Sequence, residues 1–120
     1  MKAIGIDLIE IERIASSMTR FKQAFLEKIL TLHEQDLALT HKNPTCFVAG
    51  RFAAKEAIAK ALKTGFGKHL SFHDIEITND TLGAPLAKLS EKARKHFNNP
   101  NILLSISHSK SMATAVACVL

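Results

Sequence analysis

Ile4, Ile6 and Leu8 alternate with Gly5 and Asp7. This is the two-residue repeat of a strand, with three aliphatic side chains on one face, the glycine and aspartate on the other, and Asp7 near its end. From Ile11 to Leu30 the apolar positions, Phe21, Phe25 and Ile29 among them, recur at intervals of three and four, which predicts a helix. Thr31-x-x-Glu34 has the form of a capping box, so a new helix begins there. Asn43-Pro44 opens the longest helix, since Asn caps a free N–H and Pro tolerates the first helical position. Phe47, Ala54, Ile58, Ala61 and Leu62 form its apolar stripe, its many alanines allow a neighbour to approach closely, and Thr64-Gly65-Phe66-Gly67 stops it. Beyond it, Asp74 to Thr78 alternates as a half-exposed strand, Asn79 to Pro85 is turn-rich, and Ser90 to Phe97 is a short amphipathic segment broken by Asn98-Asn99-Pro100. Ile102 to Ser107 and Ala113 to Leu120 read as an antiparallel hairpin joined through His108-Ser109-Lys110-Ser111. Helices in front and strands mostly behind give an α+β fold.

Composition narrows the class. A chain of 120 residues, 47% of them apolar, is expected to form one domain over residues 1–120 with a true core, and its small size favours further burial through self-association. Sixteen Lys and Arg against eleven Asp and Glu leave a formal charge of +5, which draws phosphates and acidic proteins. Cys46 and Cys118 form neither a C-x-x-C pair nor a disulfide framework, so a reducing compartment is expected. No apolar run reaches the roughly 18 residues of a membrane helix, and Asp7, Glu10 and Glu12 interrupt the region where a signal peptide is apolar. The cytoplasm is the expected location.

The candidate chemistry lies in a few polar side chains. Glu56 and Lys60 stand four apart on the long helix and share a face, either as a surface ion pair or as two groups aimed at one ligand. Asp7, beside a glycine that permits close approach, reads either as the cap of the next helix or as a second carboxylate for a cation. Two carboxylates leave most of an octahedral Mg²⁺ shell to water and substrate phosphates, so a phosphate-bearing substrate is the complement. Arg51 falls on the apolar stripe, which suits snorkelling, an anion contact or a subunit contact. Ser105 and Ser107 lie near His108, but no G-x-S-x-G elbow supports a nucleophilic serine, and the other histidines lack zinc spacing.

Gly5-Ile6-Asp7-Leu8-Ile9-Glu10-Ile11-Glu12-Arg13-Ile14, Arg51-Phe52-Ala53-Ala54-Lys55-Glu56-Ala57-Ile58-Ala59-Lys60-Ala61 and Leu104 to Ser109 appear in that order and at suitable distances. Together they resemble the holo-acyl-carrier-protein synthase family, the small branch of the phosphopantetheinyl transferases, over nearly the whole chain. The resemblance implies an enzyme of fatty acid biosynthesis that moves phosphopantetheine from coenzyme A to a serine of acyl-carrier protein with Mg²⁺. It implies that Asp7 and Glu56 hold the metal and that Lys60 contacts phosphate oxygens. Thr64, Gly65 and Phe66 with Gly83, Ala84 and Pro85 would line the nucleotide pocket, His108 would lie near the nucleotide phosphates, and Arg13 would face the carrier protein. A homotrimer with active sites between subunits is implied as well. Lys63 stands where the family usually has glycine, and Ala84 where lysine is frequent. The rival readings are a basic nucleic-acid-binding domain, which the lack of Trp and Tyr for stacking disfavours, and a non-catalytic module for acidic proteins, which leaves Asp7 and Glu56 unexplained.

Overall fold

A computed structural model describes residues 2–120. Strand β1 (Ala3–Glu10) pairs antiparallel with β5 (Met112–Val119), and β5 with β4 (Ile102–His108), giving a three-stranded sheet in the order β1-β5-β4. A second antiparallel ladder joins β2 (Ile75–Asn79) to β3 (Pro85–Leu89), with Asn79 opposite Pro85. The helices are α1 (Ile11–Phe21), α2 (Gln23–Ile29), α3 (Leu32–Thr40), α4 (Pro44–Ala61) and α5 (Glu91–His96), and a single 3₁₀ turn covers Phe72–Asp74. The fold is α+β, as the order of elements predicts.

Helix α4 is the centre of the molecule. Its Ala53, Ala54 and Ala57 are fully buried in one cluster with Ala115 and Ala117 of β5, so small side chains on both sides bring helix and sheet together. Gly5 of β1 shows how close that approach is: a Cβ there would lie 2.1 Å from the Ala57 carbonyl oxygen and 2.6 Å from the Ala61 nitrogen. The predicted cap is present, with Asn43 Oδ1 accepting the Cys46 N–H at 3.1 Å. At the other end the Thr64 N–H reaches the Ala59 carbonyl (3.3 Å) and the Lys63 N–H that of Lys60 (3.0 Å), the paired bonds of a Schellman motif. Lys63 occupies its left-handed position at φ +60°, where a side chain is strained.

Three expectations need correction. The helix predicted from Ile11 to Leu30 is two helices, because the chain turns at Lys22 (φ +49°); the turn lets Ile14 of α1 and Ile29 of α2 both reach a cluster with Val48, Ala49 and Ala113. Asp7 is not at a strand end, for β1 runs on to Glu10. The turn-rich stretch is followed by a strand absent from the sequence reading, β3, which starts on Pro85, a position where the missing N–H costs nothing to the ladder. The alternation in β1 is as predicted, but its aliphatic face points outward: Ile4, Ile6 and Leu8 are 58%, 64% and 63% exposed, and Gly5 and Asp7 face α4.

Beneath α4 lies a buried ion pair. Lys55 Nζ donates to Glu34 Oε1 (2.6 Å), the Ile29 carbonyl (2.8 Å) and the Phe72 carbonyl (3.0 Å), and both side chains are wholly inaccessible. Glu34 also accepts from the Thr31 N–H at 2.8 Å, completing the predicted capping box, and from the Ile77 N–H at 2.7 Å. Three donors and three acceptors are matched, the condition under which a desolvated pair can be tolerated.

Candidate functional site

The contact between β1 and α4 at Gly5 brings Asp7 to the Lys60 end of α4, near enough for its carboxylate to act on Glu56 across the seam. Lys60, one turn after Glu56, donates to Asp7 Oδ1 at 3.1 Å and to the Ile6 carbonyl at 2.9 Å. Of the two readings of Glu56 and Lys60, the i,i+4 ion pair does not form among the described residues; Lys60 turns to the strand instead. Glu56 is therefore left without an ion-pair partner among the described residues. Burial, and then the Asp7 carboxylate, push its pKa above the ordinary range, with Lys60 opposing them. Asp7 caps no helix, since α1 starts at Ile11 behind Glu10. Two coupled carboxylates and one ammonium at the edge of solvent form a site that favours a cation together with an anionic ligand.

The loop after α4 leads from this site. Gly65 takes φ +65°, and Phe66 stacks on Phe72 at 3.9 Å between centroids, with Phe72 on Phe52 at 5.8 Å. Phe52 and Phe72 also line a cavity of about 460 Å³, together with Phe21, Phe25 and Ile29 of α1 and α2. Arg13 is exposed on α1. Gly83 (φ +91°) and Pro85 lie in the β2–β3 hairpin. Arg51, buried at 7% exposure, neither snorkels nor meets solvent: its Nη2 donates to Asn79 Oδ1 at 2.8 Å and its guanidinium lies over Phe47 at 4.4 Å.

His108 lies elsewhere. With Asn43, Cys46 and Lys110 it lines a cavity of about 440 Å³ at the N-terminus of α4. Cys46 precedes Glu56 by ten residues on α4, roughly 15 Å of helix at 1.5 Å per residue. One copy of the chain thus joins Asp7, Glu56 and Lys60 but leaves His108 apart from them. The residues that sequence reasoning missed are Lys55, Asn79 and Asp80. A lysine embedded among alanines next to Glu56 was the available signal for the first, and Asp-x-x-Gly before Pro85 for the last.

The model of the ACPS family, described as the 4'-phosphopantetheinyl transferase superfamily, matches residues 3–117. A holo-[acyl-carrier-protein] synthase of Bacillus pumilus is 50% identical over 117 residues, covering 96% of this chain and 92% of that one. Among solved structures, the chain is similar to the Helicobacter pylori holo-[acyl-carrier-protein] synthase in complex with coenzyme A (TM-score 0.89, 42% identity, 98% of this chain and 99% of that chain). It is also similar to a Bacillus anthracis synthase in complex with CoA (3',5'-ADP) (TM-score 0.85, 44% identity, 98% and 95% covered).

Proposed function

This chain belongs to the 4'-phosphopantetheinyl transferase superfamily, and on that premise we propose that it transfers the 4'-phosphopantetheine group of coenzyme A to a serine of apo acyl-carrier protein. In that reaction the serine hydroxyl attacks the β-phosphorus, the bond to the nucleotide phosphate breaks, and 3',5'-ADP leaves. The observation that carries the reading is the coupled pair Asp7 and Glu56 with Lys60 at its side.

The donor set fits Mg²⁺, which takes one or two carboxylates and leaves its other positions to water and phosphate oxygens. Asp7 and Glu56 would hold it, and when bound it supplies charge neutralisation at the pyrophosphate. Lys60, which already bridges Asp7 and the β1 backbone, adds a positive charge for phosphate oxygens. The serine proton passes to the Glu56 carboxylate or to water at the site. Thr64, Gly65 and Phe66 with Gly83 and Pro85 line the nucleotide pocket, and Arg13 faces the acidic carrier protein.

The same reading makes the enzyme a single domain, a homotrimer with active sites between copies, working in cytoplasmic fatty acid biosynthesis. Two features support the trimer. The outward face of β1 offers Ile4, Ile6 and Leu8 for burial, and His108, implied at the nucleotide phosphates, is remote from Glu56 within one copy. Incubation with apo acyl-carrier protein, coenzyme A and Mg²⁺ tests the reaction by mass spectrometry of the carrier. A gain of one phosphopantetheine group, abolished by EDTA and by Asp7→Ala or Glu56→Ala, is expected. An unmodified carrier with the wild-type protein rejects the reaction, and near-normal activity in either variant rejects the metal site.

A further inference from the structure

Arg51 is a buried cation with no carboxylate in an ion pair with it among the described residues. Desolvation is the main influence on its pKa and lowers it, with Glu34 only partly compensating. Among the described residues its Nε lacks any hydrogen-bond partner and its one hydrogen bond is to Asn79 Oδ1. Keeping a guanidinium here is costly to the fold, since an apolar side chain would fill the space without an unpaired donor.

What the contact reaches is the tip of the β2–β3 hairpin. The Asn79 amide faces two ways: Oδ1 accepts from Arg51 at 2.8 Å, and Nδ2 donates to the Gly83 carbonyl at 3.0 Å. Beyond Asn79 the tip closes on itself. Asp80 Oδ1 accepts the Leu82 and Ala84 N–H groups, each at 2.9 Å. The Asp80 carbonyl takes the Gly83 N–H at 3.0 Å, and the Asp80 N–H reaches the Ala84 carbonyl at 2.9 Å. The tip is therefore a preformed unit whose internal bonds do not fix where it sits, and the Arg51–Asn79 bond ties it to α4. Arg51 precedes Glu56 by five residues on that helix, about 7.5 Å along the axis.

We infer that Arg51 is a positioning residue for nucleotide binding, acting through Asn79 to hold the Asp80–Pro85 tip in register with the helix that carries Glu56 and Lys60. This rests on the reading above that Gly83 and Pro85 line the nucleotide pocket. Arg51 does not itself touch the ligand, so its effect disappears when Asn79 is removed.

The test is a double-mutant cycle on the full chain with Arg51→Gln, Asn79→Ala and both together. Binding of 3',5'-ADP is measured directly, alongside KM for coenzyme A, KM for the carrier protein and kcat. Each single variant is expected to weaken 3',5'-ADP and raise the coenzyme A KM by about tenfold, the worth of one hydrogen bond to a charged group. kcat and the carrier KM are expected to stay within about twofold, and the double variant to bind no worse than Arg51→Gln alone. Arg51→Lys, which keeps one donor, is expected to recover part of the loss. Asn79 is exposed, so Asn79→Ala decides the matter even if Arg51→Gln fails to fold. Additive losses would make Arg51 a direct ligand contact and overturn the inference, as would an unchanged coenzyme A KM in Asn79→Ala. If the wild-type protein failed to bind 3',5'-ADP, the nucleotide reading would fall and this inference with it.

Discussion

With Lys60 bonded to Asp7, Glu56 is left half-buried beside a second carboxylate, and both burial and that neighbour raise its pKa. A carboxyl whose folded pKa lies above its unfolded value holds its proton more firmly in the native state. Its contribution favours the fold at low pH and is lost as pH rises through the folded pKa. Without divalent cations, the wild-type Tm should therefore fall from the ordinary carboxylate range up to the raised pKa of Glu56. Glu56→Gln should remove that part of the profile, melt higher than wild type at neutral pH, and lose transfer activity. Added Mg²⁺ should raise the Tm of wild type and leave that of the variant unchanged. Thermal denaturation in EDTA and in Mg²⁺ across pH checks this, and a lower Tm for Glu56→Gln in EDTA at neutral pH would show that the charge is compensated. Asp74 acts in the opposite sense at lower pH. Burial opposes its charge, but Ser90, Ser71 and Lys92 outweigh it and depress its pKa, so its contribution is present above the ordinary carboxylate range and is lost on acidification. Asp7, Glu56 and Lys60 stood out in the sequence as candidates, but the bond between Lys60 and Asp7 did not. Spacing of four points Lys60 at Glu56, and only the tertiary placement of β1 supplies Asp7 instead.

Among the elements, α4 and the closing hairpin follow closely from the sequence, because a cap, an alanine-rich stripe and regular alternation all agree there. The break at Lys22 and the strand starting at Pro85 do not. Helical periodicity continues across the first, and the second opens with a residue that ordinarily argues against a strand. The seam between β1 and α4 was legible only as a permission, the glycine at position 5, whose occupant the structure shows to be backbone of α4. A methyl group at Gly5 has nowhere to go without separating the two elements. Gly5→Ala should thus destabilise the protein by about 3 kcal/mol or more and, in whatever fraction folds, weaken Mg²⁺ binding by drawing Asp7 from Glu56. Urea denaturation and metal titration measure the two effects, and native-like values in both would mean that the seam can relax.

Across the whole molecule, the outward stripe of Ile4, Ile6 and Leu8 continues onto half-exposed Val116 and Cys118 of β5, and Leu103 of β4 is 55% exposed on the same face. Association through this face is expected to be needed for a complete site. On the proposed assembly, wild type should sediment as a trimer and Ile6→Asp as a monomer in analytical ultracentrifugation, with most activity lost and the monomer still folded by circular dichroism. A fully active monomer would place the site within one chain. The interior is tied together differently, by Lys55 and Glu34, which between them bond to α2, α3, α4, β2 and the 3₁₀ turn. Loss of either partner alone strands an ion in the core, so descendants of this sequence can abandon the pair only by changing both codons together. The scaffold behind Glu56 is in this way held against gradual drift, and surface positions are where such lineages can diverge.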